Sequence, residues 1–163
     1  MAVELMRIDD RLIHGQVVVG WGQPLDIGFL VLVDDEVAQS DWEQELYRMG
    51  VPPEMDLKFE SVAGAARRMP TYRADPRTGM LLTGEVATMR KLVELVPDIR
   101  RVTVGGLHHR AGRTERLRYV FLAPEDEAEL RALAAAGVTV SAQDVPSAHA
   151  VPLGELLGED ARS

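Results

Sequence analysis

The sequence predicts an α/β domain built on an open, twisted, mainly parallel sheet with helices on both faces. Three observations carry that expectation. Short apolar runs alternate with helix-like segments, the pattern of successive β-α units. Several runs are rich in Val, Leu and Ile on both sides, as strands covered on both faces must be. The length, 163 residues, suffices for one sizeable core and not for two, so a single domain is expected over residues 1–163.

The strands are expected at Val3 to Ile8, Gly28 to Asp34, Asp56 to Ser61, Gly79 to Thr83, Arg100 to Gly105, Leu117 to Leu122 and Val138 to Asp144. A first helix begins at Gln16-Val17-Val18-Val19, and Gly20, Gly22 and Pro24 keep it short or irregular. Further helices read at Val37 to Met49, Val62 to Met69, Val86 to Leu95 and Pro124 to Ala136. The last has Pro124 for its first turn, Glu125, Asp126 and Glu127 for its positive end, and Gly137 for its carboxyl cap. Pro52-Pro53, Ala74 to Thr78 and Ala111 to Thr114 read as loops, and Gly158 to Ser163 as a frayed tail.

Composition narrows the function. A net charge of −8 opposes nucleic-acid binding, which depends on clustered Lys and Arg, and opposes direct attachment to an anionic bilayer. The absence of cysteine removes disulfides and thiolate nucleophiles and fits a reducing compartment. MAVELMRIDDR contains no signal-peptide core, and no segment approaches the ~20 apolar residues that span a bilayer. A cytoplasmic location is expected, with any membrane association made through a protein partner.

In an open parallel sheet, ligands bind outside the carboxyl ends of the strands. After the first strand the chain reads Arg7-Ile8-Asp9-Asp10-Arg11-Leu12-Ile13-His14-Gly15-Gln16-Val17, too polar to continue a buried strand. Histidine titrates nearest neutrality, so the His14 imidazole can be uncharged and nucleophilic. Arg7 and Arg11 can set fixed positive charge against the oxygens of a transferring phosphoryl group. Either Asp9 or Asp10 could orient the imidazole by accepting its other ring N–H. Gly15 allows close backbone approach, and amides around Gln16 could hold an anion. The plainer reading makes His14 a helix cap and Asp9, Asp10 and Arg11 a solvated charge cluster.

The run RIDDRLIHGQV followed by Trp21 resembles the signature of the mannose/sorbose-type IIB components of the bacterial phosphoenolpyruvate-dependent sugar phosphotransferase system. The likeness continues through Val33-Asp34-Asp35-Glu36-Val37-Ala38, Val104-Gly105-Gly106 and Arg110-Ala111-Gly112-Arg113-Thr114. It implies an open α/β phosphocarrier, with His14 the phosphorylation site and Arg11 and Asp9 its functional neighbours. The phosphoryl group would come from a IIA phosphohistidine and pass to a sugar held by IIC and IID membrane subunits. Peripheral association with the inner membrane through IIC/IID follows, and no cofactor or metal is implied.

Two further loops belong at the same edge. Leu82-Thr83-Gly84-Glu85 keeps only Thr83 of the phenylalanine-threonine-asparagine-proline-like turn of many relatives, and Thr83 and Gly84 could still offer a hydroxyl and amides to phosphate. Gly105 and Gly106 suit a tight turn or a backbone nest for an anion. His108-His109 also departs from the family pattern, and a metal site with His14 is the weakest of the readings. Trp21 and Trp42 are expected to pack. An orphan regulatory phosphoprotein that signals to a partner without sugar transport is the alternative function, and a homodimer stays open.

Overall fold

The structure, a computed structural model, describes residues 3–158; the side chains of Val3, Glu4 and Gln16 and the tail beyond Gly158 lie outside the described part. The first strand, β1 (Val3–Ile8), lies between β4 (Thr78–Thr83) and β5 (Arg101–Val104). Beyond β4 come β2 (Ile27–Val33) and β3 (Asp56–Glu60); beyond β5 come β8 (Thr139–Ala142) and β9 (Val151–Pro152). All neighbours in the order β3-β2-β4-β1-β5-β8 run parallel, and only β9 is antiparallel. The mainly parallel sheet is therefore as the sequence predicts.

Both faces are covered. Alternation along β2 sends Phe29, Val31 and Val33 into one core and Leu30 and Leu32 into the other. The first core is closed by α3 (Val62–Ala74), α4 (Val86–Leu95) and α5 (Pro124–Ala135). The second is closed by Val17, Val18 and Trp21 in and after α1 (Gly15–Val18), with Val37 of a 3-10 turn (Val37–Gln39) and Tyr47 of α2 (Asp41–Arg48). A short α6 (Leu153–Leu156) seals the last strands with Leu156 and Leu157. Each fully buried aliphatic side chain of these cores stabilises the fold by ~1.5–3 kcal/mol.

Helix ends follow local chemistry. Asp126 accepts a hydrogen bond from the Ala123 amide (2.8 Å) just ahead of Pro124, and Gly137 closes α5 with φ +93°, a region costly for other residues. The Ser61 hydroxyl accepts from Gly64 N (3.0 Å) at the start of α3.

Three expectations need correction, and two short elements were not expected. Leu117 to Leu122 is not a strand of the main sheet. It turns at Arg118-Tyr119 into an antiparallel hairpin of β6 (Thr114–Leu117) and β7 (Val120–Leu122), whose polar first arm carries no apolar signal. The expected helix from Val37 is broken at Ser40, which is extended (φ −119°, ψ 99°) and caps α2 by accepting from Glu43 N (3.4 Å). Conversely, α3 runs through Pro70 to Ala74, because Met69 and Tyr72 are buried against the sheet and this packing outweighs the proline's missing donor. The strand β9 and helix α6 are too short to leave a periodic pattern.

The face to which the connections lead switches at β1. Its connection leads to α1 on one face, whereas those of its neighbours β4 and β5 lead to α4 and α5 on the other. Loops that part to opposite faces open a crevice at the carboxyl end of the strand between them.

Candidate active site at the carboxyl end of β1

The loop after β1 is pinned by backbone bonds to both neighbouring strands. Asp9 N donates to the Thr83 carbonyl (2.8 Å), Asp10 N to the Gly106 carbonyl (2.8 Å), and Gly105 N to the Ile8 carbonyl (2.6 Å). Leu12 takes a left-handed conformation (φ +56°), an uncommon state for a branched side chain, and redirects the chain toward α1. His14 follows, exposed, and its carbonyl accepts from Val17 N (2.9 Å) and Val18 N (2.8 Å) as the helix begins.

Beneath this loop lies an ionic stack. Asp9 is fully buried and its two oxygens are shared between two arginines. Oδ1 accepts from Arg11 N (3.1 Å) and Nε (2.8 Å); Oδ2 accepts from Arg11 Nη2 (2.6 Å) and Arg7 Nη2 (3.2 Å). Burial opposes the Asp9 charge, but the Arg11 hydrogen bonds and the charges of Arg7 and Arg11 outweigh it and hold the carboxyl below its ordinary range. The Arg11 guanidinium is raised, chiefly by its hydrogen bond to Asp9.

Arg7 is fully buried, which lowers its pKa against the opposing pull of Asp9. Its fork reaches across the sheet to the carbonyls of Gln143 (2.8 Å) and Asp144 (3.1 Å), and it lies over the Trp21 ring at 4.5 Å. Trp21 donates Nε1–H to the same Asp144 carbonyl (2.8 Å), so it packs, as the sequence predicts, and also fixes the floor of the stack.

These contacts revise several expected roles. Arg7 is buried and supports Asp9 from below. Asp10 has partners of its own. Its carboxylate accepts from His108 N (2.8 Å), stands 2.5 Å from His108 Nδ1 and meets Arg113 Nη1 at 3.4 Å, tying the β1 loop to the segment after β5. The described bonds of Asp9 and Asp10 go to arginines and to His108. Thr83 is buried and turns its hydroxyl to the Glu85 carbonyl (3.3 Å).

Gly105 is buried where a Cβ would come within 2.3 Å of Arg7 and 2.5 Å of Asp9, so its role is to let the stack pass. At Gly106 a Cβ would stand 2.7 Å from Arg11 Nε, and at Gly84 it would stand 3.0 Å from Leu12. Gly15 is exposed with open space around it, and the Gln16 side chain lies outside the described residues. The adjacent histidines diverge: His108 turns to Asp10, and the His109 ring sits edge-on to Phe121 at 5.6 Å. What the sequence reading missed are the Gln143 and Asp144 carbonyls, which come from beyond β8 and leave no local signal.

A buried anion-arginine stack below an exposed histidine suits phosphoryl handling, and comparison with known proteins decides the family. The family model for the sorbose subfamily IIB component of the phosphotransferase system (PTS) matches residues 3–163. The chain belongs to that family. Its members are sugar phosphotransferases. The N-acetylgalactosamine-specific phosphotransferase enzyme IIB component 1 of Escherichia coli is 36% identical over 146 residues, which cover 87% of this chain and 90% of that protein. The crystal structure of the IIBSor domain of the sorbose permease from Klebsiella pneumoniae superposes with a TM-score of 0.87 at 28% identity, covering 100% of both chains. The mannose-specific EIIAB component of Escherichia coli is 29% identical over 98% of this chain, which spans 49% of that longer protein.

As a PTS IIB component the chain is a sugar-transport transferase, and the reading as an orphan regulator is not favoured. Among the described residues, no helix is long and apolar enough to cross a membrane.

Proposed function

We propose that His14 is the phosphoryl carrier of this IIB component. The observation that carries the reading is an exposed imidazole three residues after Arg11, whose guanidinium is held by a buried carboxylate on a loop pinned between two parallel strands. In the first half-reaction, a ring nitrogen of His14 attacks the phosphorus of a IIA phosphohistidine. A new N–P bond forms at His14 as the donor's N–P bond breaks. In the second, the 6-hydroxyl of a sugar held by IIC/IID attacks, giving up its proton, and the His14 N–P bond breaks.

Arg11 supplies fixed positive charge to the oxygens of the group in flight, and Asp9 keeps the guanidinium from reorienting. Gly15, the backbone at Gln16 and the Gly106 turn line the approach. This chemistry calls for no cofactor and no homodimer, and in this reading the domain works in the cytoplasm, held at the inner membrane by IIC/IID. Exposure of His14 suits the reading, because both exchanges need a bulky partner to reach the ring.

The test is incubation with radiolabelled phosphoenolpyruvate, the general PTS proteins and a cognate IIA. Acid-labile label is expected on the wild type and absent from His14→Ala, which keeps the wild-type urea midpoint because the side chain is exposed. Label persisting at full level in His14→Ala overturns the assignment.

A further inference from the structure

Helix α2 turns Gln44 and Tyr47 toward the body of the domain. Gln44 donates to the carbonyls of Val37 (3.0 Å) and Ala38 (3.3 Å). Arg48 donates to the Leu57 carbonyl (3.3 Å) and lies over the Phe59 ring at 5.1 Å. Tyr47 packs against the core. On the opposite side, Trp42, Leu46 and Met49 are 71%, 56% and 83% exposed. Their spacing, i, i+4 and i+7, is the one a surface helix ordinarily buries. An apolar stripe turned to solvent marks a face that another molecule covers.

The stripe leads to the active loop. Met49 precedes Gly50, where a Cβ would stand 3.4 Å from Cγ2 of Ile13, the residue before His14. Its rim carries Asp41, Glu43 and Glu45 against one cation, Arg48, which pairs with Glu45 at 3.7 Å, so it is net acidic on a chain of net charge −8. Anionic lipid would be repelled by such a rim. A second copy docking stripe to stripe would set the acidic rims against each other. The cytoplasmic loops of membrane proteins carry an excess of Lys and Arg and are complementary to it.

We infer that the Trp42-Leu46-Met49 stripe docks the domain onto the basic cytoplasmic loops of the membrane subunits that hold the sugar. This rests on the proposed role of His14 and adds the surface used in the second half-reaction alone. The acidic rim steers the charged domain to the permease, and the apolar stripe fixes it with His14 at the sugar site.

The experiment measures the two half-reactions separately in Trp42→Ser/Leu46→Ser/Met49→Ser and in Glu43→Lys/Glu45→Lys. Charging of His14 by IIA in solution is expected to match wild type in both variants. Discharge to sugar on inside-out vesicles carrying the cognate subunits is expected to fall about tenfold or more in the triple variant, the factor that ~1.4 kcal/mol of lost docking produces. The charge variant discharges more slowly at low salt, and the difference closes as salt rises.

Unchanged discharge in both variants overturns the inference. So does an equal fall in charging and discharge, which makes the stripe a donor surface. Wild-type dimerisation abolished by the triple substitution, or wild-type binding to protein-free anionic vesicles, also overturns it by naming another occupant. A wild-type protein that takes no label on His14 sinks the parent reading, a result separable from all of these.

Discussion

Asp9, one residue past β1, and Glu60, the last residue of β3, are both buried carboxylates that meet arginine, but their surroundings differ. The partners of Asp9 are Arg7, with no exposed surface, and Arg11, whose side chain is 12% exposed. Glu60 is bound by Arg68 (2.6 Å), which is 54% exposed, and by the Tyr72 hydroxyl. Burial and Glu60 together push the Tyr72 phenol upward, so it stays a donor. The Glu60 cluster joins the outermost strand to α3, while the Asp9 stack lies at the strand whose connection leads to the opposite face from those of its neighbours. A buried ion pair alone therefore does not identify a site. Position sets the two apart, since the Asp9 stack lies under the loop that carries the exposed His14.

The sharpest way to break this contrast is Asp9→Asn. Two guanidinium groups, one fully buried, would lose their shared anion, and removing one partner of a buried pair costs ~3–5 kcal/mol. Urea unfolding is expected to report that loss, with charging of His14 falling in the same variant. A wild-type midpoint would show that the stack does not hold the loop.

Acidification should produce the next largest difference. The Asp9 pKa is depressed in the folded state, so its contribution is fully present above the unfolded value of ~3.9 and is lost as pH falls through the folded one. Urea midpoints taken at descending pH should drop more steeply for wild type than for Asp9→Asn below about pH 4. Parallel acid limbs would refute the assignment.

Glu60→Gln should have the smallest effect, ~1–2 kcal/mol, because Arg68 regains water and the amide can still accept from Tyr72. Charging of His14 should be untouched. A loss of charging in this variant would erase the distinction between the two clusters.

The fold was legible wherever burial imposed a pattern. Strand β1 and helix α4 match their expected spans because apolar runs and helical spacing fill them completely. The pattern failed where tertiary contacts decide: Ser40 breaks a helix by capping the next one, and Pro70 stays helical because its neighbours are buried.

At the site, the clustering of Arg7, Asp9, Arg11 and His14 could be read from one short segment, but their directions could not. Which arginine points down depends on carbonyls 136 and 137 residues away. Asp10 is similar, since nothing local says that it will turn to His108. The glycines were noticed for their backbone freedom, whereas the fold uses Gly105 to make room for Arg7 and Asp9.

The two margins of the sheet have a consequence of another kind. At one margin, β9 is only Val151–Pro152, runs against its neighbour, and includes a residue with no amide hydrogen. At the other, β3 carries Lys58 and Asp56, paired at 3.2 Å, on a strand that would otherwise be free to extend. Short strands, proline and charge are the means by which proteins blunt sheet edges. A sheet so fenced cannot readily recruit strands from other molecules, so a domain of a family that works with several partners can meet them without polymerising through its own backbone.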